Sequence, residues 1–110
     1  MVHNRDKIIQ MRLRREDVVA RVRALAREGK VAFSDHSYEQ MDTRSLNDRI
    51  ATSILEKGDP KGDVEPGKNA GEWKVKMVDR IKGSRDVGVV TILLGSRELL
   101  LVKTVEWEDL

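Results

Sequence analysis

The last third of the chain alternates apolar and polar residues with a period of two, which is typical of β-strands with one buried face. Residues 72–80 divide into an apolar row and a cationic row: Trp73, Val75 and Met77 against Lys74, Lys76 and Arg80. Residues 87–94 are apolar on both faces, the pattern of a central strand. After a short connection at residues 95–97, residues 98–107 return as a third strand. We therefore predict an antiparallel meander.

The part of the chain before these strands shows the spacing of helices. Apolar residues at helical intervals predict an amphipathic helix over residues 15–28, with Gly29 as its C-terminal cap. Residues 30–33 are predicted to be extended, and Ser34 is expected to cap a brief helix after them.

A capping-box-like pair, Ser45 and Asp48, predicts a further helix that ends at Gly58. Residues 59–71 contain both prolines and are predicted to form a long loop. Helices followed by a meander predict an α+β fold, with N-terminal helices packed on a small, mainly antiparallel twisted sheet.

The length and charge of the chain limit its organisation. The 110 residues suffice for one compact domain, which we place over residues 15–110. Lys and Arg outnumber Asp and Glu by nine to four in residues 1–30 but are outnumbered by fifteen to twelve in the rest, so the basic character is local. Residues 1–14 are either additional turns of the first helix or a flexible basic arm.

Composition excludes several classes of protein. Without cysteine there is no disulfide, no thiol nucleophile and no cysteine-ligated zinc. No apolar run reaches the roughly 20 residues that cross a bilayer, and the N-terminus lacks a signal-peptide core. We expect a cytoplasmic protein with no membrane partner.

Lys103 and His36 carry the chemistry that this pattern suggests. Lys103 interrupts the apolar row of the third strand, Leu99, Leu101, Val105 and Trp107. Together with the cationic row, Lys103 can hold a phosphodiester and stabilise charge on a cleaved phosphate. His36, at the start of the brief helix, can act as a general acid or base toward a ribose hydroxyl. The alternatives are a solvated charged face and a histidine that only stabilises the helix start.

Other candidate sites are weaker. Tyr38, Trp73 and Trp107 can stack on bases, although tryptophans in such positions are more often core anchors. No metal site is predicted, because His36 has no histidine partner and the carboxylates of residues 59–65 lack calcium-loop spacing. The chain contains no GxxxxGK[ST] loop, which disfavours nucleotide hydrolysis. We expect no cofactor.

Four stretches of the chain resemble a known family: VAFSDHSYEQMDTRSLND (31–48), WKVKMV (73–78), VGVVTILL (87–94) and LLLVKTV (99–105). They are similar to the uncharacterised RelE-like domains often encoded beside MqsA-type zinc-finger antitoxins, and more distantly to the MqsR-type mRNA interferase toxins. The resemblance covers about residues 15–107. It implies the RelE or barnase-like ribonuclease fold, in which helices lie against a twisted sheet whose other face takes messenger RNA.

The resemblance also implies a function. Such a protein is a toxin of a type II toxin-antitoxin system that binds RNA on the basic sheet face, cleaves it without metal, and is neutralised by a cognate antitoxin, here one of the zinc-finger MqsA type. The positions that match the family pattern are His36 and Arg44 in the helical motif and Lys76, Arg80 and Lys103 in the sheet. Gln40 stands where many such domains have arginine.

We assign candidate roles accordingly. The catalytic candidates are His36, Lys103 and Arg80. The RNA-binding candidates are Tyr38, Arg44, Trp73, Lys74 and Lys76.

A non-catalytic binding module of the same fold is the competing interpretation. Its phosphate contacts would come from the first helix: Arg12, Arg14, Arg15, Arg21 and Arg23. In a third interpretation the N-terminal apolar residues form a homodimer seam or an antitoxin dock: Ile8, Ile9, Met11 and Leu13.

Overall fold

Three helices and a mixed six-stranded sheet make up an α+β domain in the computed structural model, which describes residues 4–81, 83 and 85–109, with side chains from residue 14 onward. The helices are α1 (Asn4–Arg27), α2 (Asp35–Thr43) and α3 (Asp48–Lys57). The strands are β1 (Val31–Phe33), β2 (Asp59–Pro60), β3 (Glu65–Pro66), β4 (Glu72–Ile81), β5 (Arg85–Leu94) and β6 (Leu99–Trp107), with a 3-10 turn at Gly95–Arg97.

The sheet has the strand order β1, β6, β5, β4 and β2, and β3 also pairs with β4. The predicted central position of β5 is confirmed, as is the antiparallel meander of β4, β5 and β6. β1 joins β6 in parallel, and this one pair makes the sheet mixed.

The hydrophobic core lies between the helices and one face of the sheet. Alternating residues of the strands, such as Val75, Val89 and Leu100, are buried there against Leu25 of α1 and Ile54 of α3. Burial of each such side chain contributes about 1.5–3 kcal/mol. None of the three described helices covers the other face of the sheet, which we call the open face.

α1 begins at Asn4, so the backbone of residues 4–14 continues the helix predicted over residues 15–28. Residues 1–3 and the side chains of residues 4–13 lie outside the described part of the chain. The residues predicted for a dimer seam or a phosphate contact that fall outside it are Ile8, Ile9, Met11, Leu13 and Arg12. None of the described helices is long and apolar enough to cross a membrane.

The predicted caps of α1 and α2 are confirmed. Gly29 adopts a left-handed conformation with φ of 75°, and the Lys30 N–H donates back to the Leu25 carbonyl at 2.9 Å. At the start of α2, the Ser34 hydroxyl oxygen accepts a hydrogen bond from the Ser37 N–H at 3.1 Å.

The predicted capping box of α3 is wrong. Ser45 adopts a left-handed conformation with φ of 57° in the turn after α2, where it cannot cap the next helix. Asn47 is the actual cap, since its backbone is extended and its Oδ1 accepts from the Ile50 N–H at 2.8 Å.

The predicted loop over residues 59–71 includes β2 and β3, which the sequence did not reveal. Both strands pair with β4, and the Lys61 N–H adds a hydrogen bond to the Lys76 carbonyl at 2.9 Å. The segment therefore covers the outer edge of β4, an edge that would otherwise be open to pairing with another chain.

β6 contains an irregularity at Lys103 that changes the face on which its later residues lie. Its pairing with β5 shifts between Val90 and Thr91, and Lys103 is the extra residue of the resulting β-bulge. Val102 and Val105 are both buried against the helices. The predicted single row of Leu99, Leu101, Val105 and Trp107 is wrong, because the bulge puts Val105 and Trp107 on the core face, whereas Leu99 and Leu101 lie on the open face. Lys103, the extra residue between them, is exposed.

Gly58 ends α3 where the backbone of β4 approaches closely. A Cβ atom there would lie 2.6 Å from the Ile54 carbonyl oxygen and 2.8 Å from that of Val78. Because backbone atoms cannot swing aside, Gly58→Ala is expected to lower the free energy of unfolding by about 3 kcal/mol, measured by urea denaturation. Gly62→Ala is the control, because a Cβ atom there has no other atom within 4 Å and the only strain comes from the φ of 78°. It is expected to lower the free energy of unfolding by about 1 kcal/mol. Equal urea midpoints would contradict this account.

Candidate functional site

The structure separates the predicted site residues into two groups and one further residue. His36 and Arg44 belong to α2 and its C-terminal cap, which pack on the outer edge of β6, and Lys103 lies in β6 itself. The group on β4 comprises Trp73, Lys74, Lys76 and Arg80. Since β5 lies between β4 and β6, the usual strand spacing puts these groups about 10 Å apart.

Two side chains of α2 bind the backbone of β6. Gln40 Oε1 accepts a hydrogen bond from the Val105 N–H at 3.0 Å, and Arg44 Nη1 donates to the Val105 carbonyl at 2.9 Å. β1 ends at Phe33, opposite Val102, so it does not reach Val105. Gln40 and Arg44, four residues apart on one helix face, therefore supply the hydrogen bonds of a missing neighbouring strand.

Gln40 also orients His36. Gln40 Nε2 lies 2.9 Å from His36 Nε2. Because Gln40 Oε1 is taken by the Val105 N–H, the amide nitrogen is the donor in this pair and the imidazole Nε2 is the acceptor. A neutral imidazole has one ring proton, which must then lie on Nδ1. The exposed His36 ring thus presents an N–H donor at Nδ1.

Lys103 lies beside this arrangement, two residues before Val105. Its side chain is exposed, and it takes part in none of the ion pairs found among the described residues. We call His36, Gln40, Arg44 and Lys103 the bulge site. It offers, on β6, a cation without an ion-pair partner in the described chain and, on the helix packed against β6, an oriented N–H donor.

Tyr38 lies apart from the bulge site. At 100° per helical residue, Tyr38 and His36 differ by about 200° around α2 and fall on opposite flanks. The Tyr38 ring packs against Phe33, with ring centroids 5.4 Å apart, and the residue is 51% exposed. The structure therefore does not bring Tyr38 to His36.

The cationic row of β4 is partly neutralised by its own chain. Arg80 Nε lies 3.2 Å from Asp86 Oδ1 on the neighbouring strand. Lys74 is exposed and forms no ion pair with any described residue. Only Lys74 of this row is therefore left without an acidic partner in the described part of the chain.

Lys76 is the centre of an ion cluster on the open face. Its Nζ lies 2.8 Å from Glu108 Oε2 and 3.3 Å from Glu106 Oε1, and Lys61 Nζ lies 3.1 Å from Glu108 Oε1. Gly88 makes room for the cluster, because a Cβ atom there would lie 2.6 Å from Lys76 Cε. The cluster therefore crosses the sheet above Gly88.

The ion cluster shifts the pKa values of both principal members. Burial opposes the charged form of each group, but hydrogen bonds and opposite charges outweigh it. The pKa of Lys76 is raised above its ordinary value by Glu108 and Glu106, and the pKa of Glu108 is lowered by Lys76 and Lys61. Both groups are thus held in their charged forms.

Both tryptophans are engaged by the protein itself. The Arg14 guanidinium carbon lies 5.0 Å from the centre of the Trp73 ring, and that of Arg85 lies 3.9 Å from the centre of the Trp107 ring. Trp107 Nε1 also donates to the Arg44 carbonyl at 3.1 Å, and both rings pack against the core. Trp73 and Trp107 therefore act as core anchors.

The arginines of α1 also contact groups of their own chain. Arg15 donates to the Gly62 carbonyl and Arg23 to the Gly58 carbonyl. Arg21 forms an ion pair with Glu98. These contacts reduce the number of α1 cations that are available to a phosphate backbone.

The bulge site contains a residue that the sequence did not mark as functional. Gln40 was visible only as a departure from the family pattern. Its spacing of four residues from both His36 and Arg44 already put the three side chains on one helix face. The partner that gives this face its role, the Val105 backbone, became visible only in the fold.

The chemistry available at the site is that of charge and hydrogen bonding. Among the residues that the structure describes, no group of three or more His, Cys, Asp or Glu side chains is arranged to hold a metal ion. The bulge site itself contributes an ammonium, a guanidinium and an imidazole N–H. Such groups suit an anionic ligand.

Comparisons with known proteins found no relative: no family model, no curated protein and no solved structure matches the chain.

Gln40→Ala tests how His36 is oriented. The substitution removes the donor to His36 Nε2 and the acceptor of the Val105 N–H. We expect the neutral imidazole to shift from the Nδ1–H toward the Nε2–H form, as seen in the imidazole nitrogen chemical shifts by NMR. The free energy of unfolding should fall by about 1–2 kcal/mol, because a backbone N–H loses its partner. Glu39→Ala, on the exposed side of α2, should change neither quantity. An unchanged tautomer in Gln40→Ala would contradict the assignment.

Glu108→Gln tests the ion cluster. The pKa of Glu108 is lower in the folded state, so its contribution to stability is complete above its ordinary value of 4.5 and is lost as the pH falls through the folded-state value. We expect the variant to be less stable than the wild type by about 1 kcal/mol at neutral pH, with the difference shrinking in acid. Urea denaturation across an acid pH series measures this. Glu16→Gln, on the exposed side of α1, is the control. A difference that stays constant with pH would refute the prediction.

Proposed function

We propose that the protein is a metal-independent endoribonuclease of the toxin type, with a RelE or barnase-like fold and the bulge site as its active centre. The observation that supports this is that α2, which carries His36, is held by Gln40 on β6 next to the bulge at Lys103, although His36 and Lys103 are 67 positions apart in the sequence. β-Bulges often re-aim side chains beside active sites. RNA is the proposed substrate because an ammonium and an oriented N–H suit a phosphodiester.

In this proposal Lys103 and His36 act on the scissile phosphate. The ribose 2′-oxygen forms a bond to phosphorus while the bond to the 5′-oxygen breaks. The 2′-hydroxyl proton passes to water, and the leaving 5′-oxygen takes a proton from water. Negative charge grows on the phosphate oxygens, where the Lys103 ammonium and the His36 Nδ1–H bind. His36 acts as a donor here, because Gln40 already occupies Nε2.

Arg80 takes no part in this step. It lies on β4, about 10 Å from β6, and its guanidinium is already paired with Asp86. Arg44 acts as a positioning residue, since its bond to the Val105 carbonyl holds α2 against β6.

As a toxin, the protein would act in the cytoplasm and need a protein antitoxin that covers the bulge site. The zinc-finger MqsA type is our proposal for that partner, from the sequence resemblance. The competing proposal, non-catalytic binding of nucleic acid through α1, has less support, because Arg15, Arg21 and Arg23 already contact their own chain.

The proposed function is tested by tightly controlled expression of the wild type and variants, with growth recorded and total RNA mapped for new cleavage ends. We expect arrest and cleavage from the wild type. His36→Ala and Lys103→Ala should each reduce cleavage by about a hundredfold, since each removes one donor to the developing charge. Arg80→Ala should reduce it by less than about threefold, because Arg80 lies two strands away.

Lys68→Ala is the matched control, since it removes an exposed lysine from the loop before β4. Circular dichroism establishes that each variant is folded. Intact RNA from folded wild-type protein, or cleavage that survives both site substitutions, would refute the proposal.

A further inference from the structure

The open face of the sheet carries a continuous aliphatic patch. Five residues of β5 and β6 point to this face and are half-buried: Val90, Ile92, Leu94, Leu99 and Leu101. None of them belongs to the core or packs against it within the described residues. We call these five residues the apolar strip.

An apolar strip is unexpected on an antiparallel sheet that faces water, because the outer face of such a sheet normally carries polar residues. Ile92 lies opposite Leu101, and Leu94 lies opposite Leu99, so the strip is continuous across both strands. Contiguous apolar surface with a polar rim marks binding sites on soluble domains. The strip therefore has the properties of a binding surface for another molecule.

Charged side chains border the strip. At one end, Lys76 and Glu108 cross the open face above Gly88. Lys74 lies beside the strip on β4, where it is paired with Ile92, and Lys103 follows Leu101 on β6. Both lysines are exposed, so a ligand of the strip lies close to two lysines.

Most of the carboxylates nearest the strip already form hydrogen bonds or ion pairs with other groups of the chain. Glu72 accepts hydrogen bonds from the turn that precedes β4, and Glu98 is paired with Arg21. Glu65 is the register partner of Lys74, yet no ion pair joins them in the described chain. The rim of the strip is therefore complementary to negative charge.

The dimensions of the strip fit one helix. From Val90 to Leu94 the strip extends about 14 Å along the strand, the length of a helix of nine or ten residues. Lys74 is level with Leu101, so Lys103 is two strand spacings across and two residues along from it, roughly 12 Å, which matches the diameter of a helix with its side chains.

We propose that the apolar strip binds an amphipathic helix of another protein, about three turns long, whose aliphatic face covers the strip and whose flanking carboxylates meet Lys74 and Lys103. The proposal goes beyond RNA cleavage and does not depend on it, because it concerns helix binding to the five aliphatic residues of the strip, which shares only Lys103 with the bulge site.

Two other occupants fit the strip less well. If two copies met face to face, each would bring lysine-flanked strips together, so like charges would oppose the contact. RNA would find no aromatic side chain among the five residues on which a base could stack. The acidic helix satisfies both the aliphatic centre and the cationic rim.

The test uses two fluorescein-labelled peptides of about 14 residues with the same aliphatic helix face, long enough to hold helical structure on binding. One carries glutamates along both flanks and the other carries lysines. Fluorescence anisotropy is expected to show at least about tenfold tighter binding of the glutamate peptide to the full chain. The double variant Lys74→Glu with Lys103→Glu should reverse the preference, and Lys68→Glu should leave it unchanged.

Ile92→Lys, placed in the centre of the strip, should abolish binding of the glutamate peptide in protein that circular dichroism shows to be folded. Absence of binding to the wild type, or equal binding of the two peptides, would overturn the proposal. Self-association of the wild type that Ile92→Lys abolishes, measured by light scattering, would assign the strip to a second copy instead. Binding of a single-stranded RNA that Ile92→Lys abolishes would assign it to RNA.

Discussion

The outer edge of β6 needs hydrogen-bond partners beyond the point where β1 ends, and the placement of α2 follows from this need. A buried backbone group without a partner costs about 1–3 kcal/mol. β1 pairs with β6 as far as Val102, and Gln40 and Arg44 then take over at Val105. Because Gln40 also bonds His36, the same requirement orients the imidazole beside the bulge. Gln40 thus both completes the hydrogen bonding of β6 and sets the geometry of the proposed active centre.

The contrast between β5 and β6 explains how far the fold can be predicted from the sequence. The central place of β5 follows from its own residues, because a strand that is apolar on both faces is typical of the centre of a sheet, whatever its neighbouring strands are. The bulge in β6 depends on the burial of both Val102 and Val105 against the helices. This is a requirement of tertiary packing, which the alternation of residues along the sequence does not reveal. Strict alternation therefore placed Val105 and Trp107 on the same face as Leu99 and Leu101, which is wrong.

Electrostatics limits prediction of the site in another way. Lys76 and Arg80 form a cationic row along their own strand, but the carboxylates that neutralise them come from β5, β6 and the turn after β6: Asp86, Glu106 and Glu108. The charge pattern of one strand shows its cations but not the carboxylates that pair with them in the fold. It therefore overstates the positive electrostatic potential of the face. The helix face of His36, Gln40 and Arg44 could be read from spacing alone, whereas its target on β6 could not.

The parallel pairing of β1 with β6 has a kinetic consequence. Val31 and Leu100 are neighbours in the sheet although 69 positions separate them in the sequence, whereas β4, β5 and β6 are joined by tight connections. Closing the long segment costs more chain entropy than forming the meander, so the meander is favoured to form first. The bulge site needs α2 against β6 and is assembled only with that final closure. A nascent or partly unfolded chain can hold the meander without the site, which ties any activity there to completion of the fold.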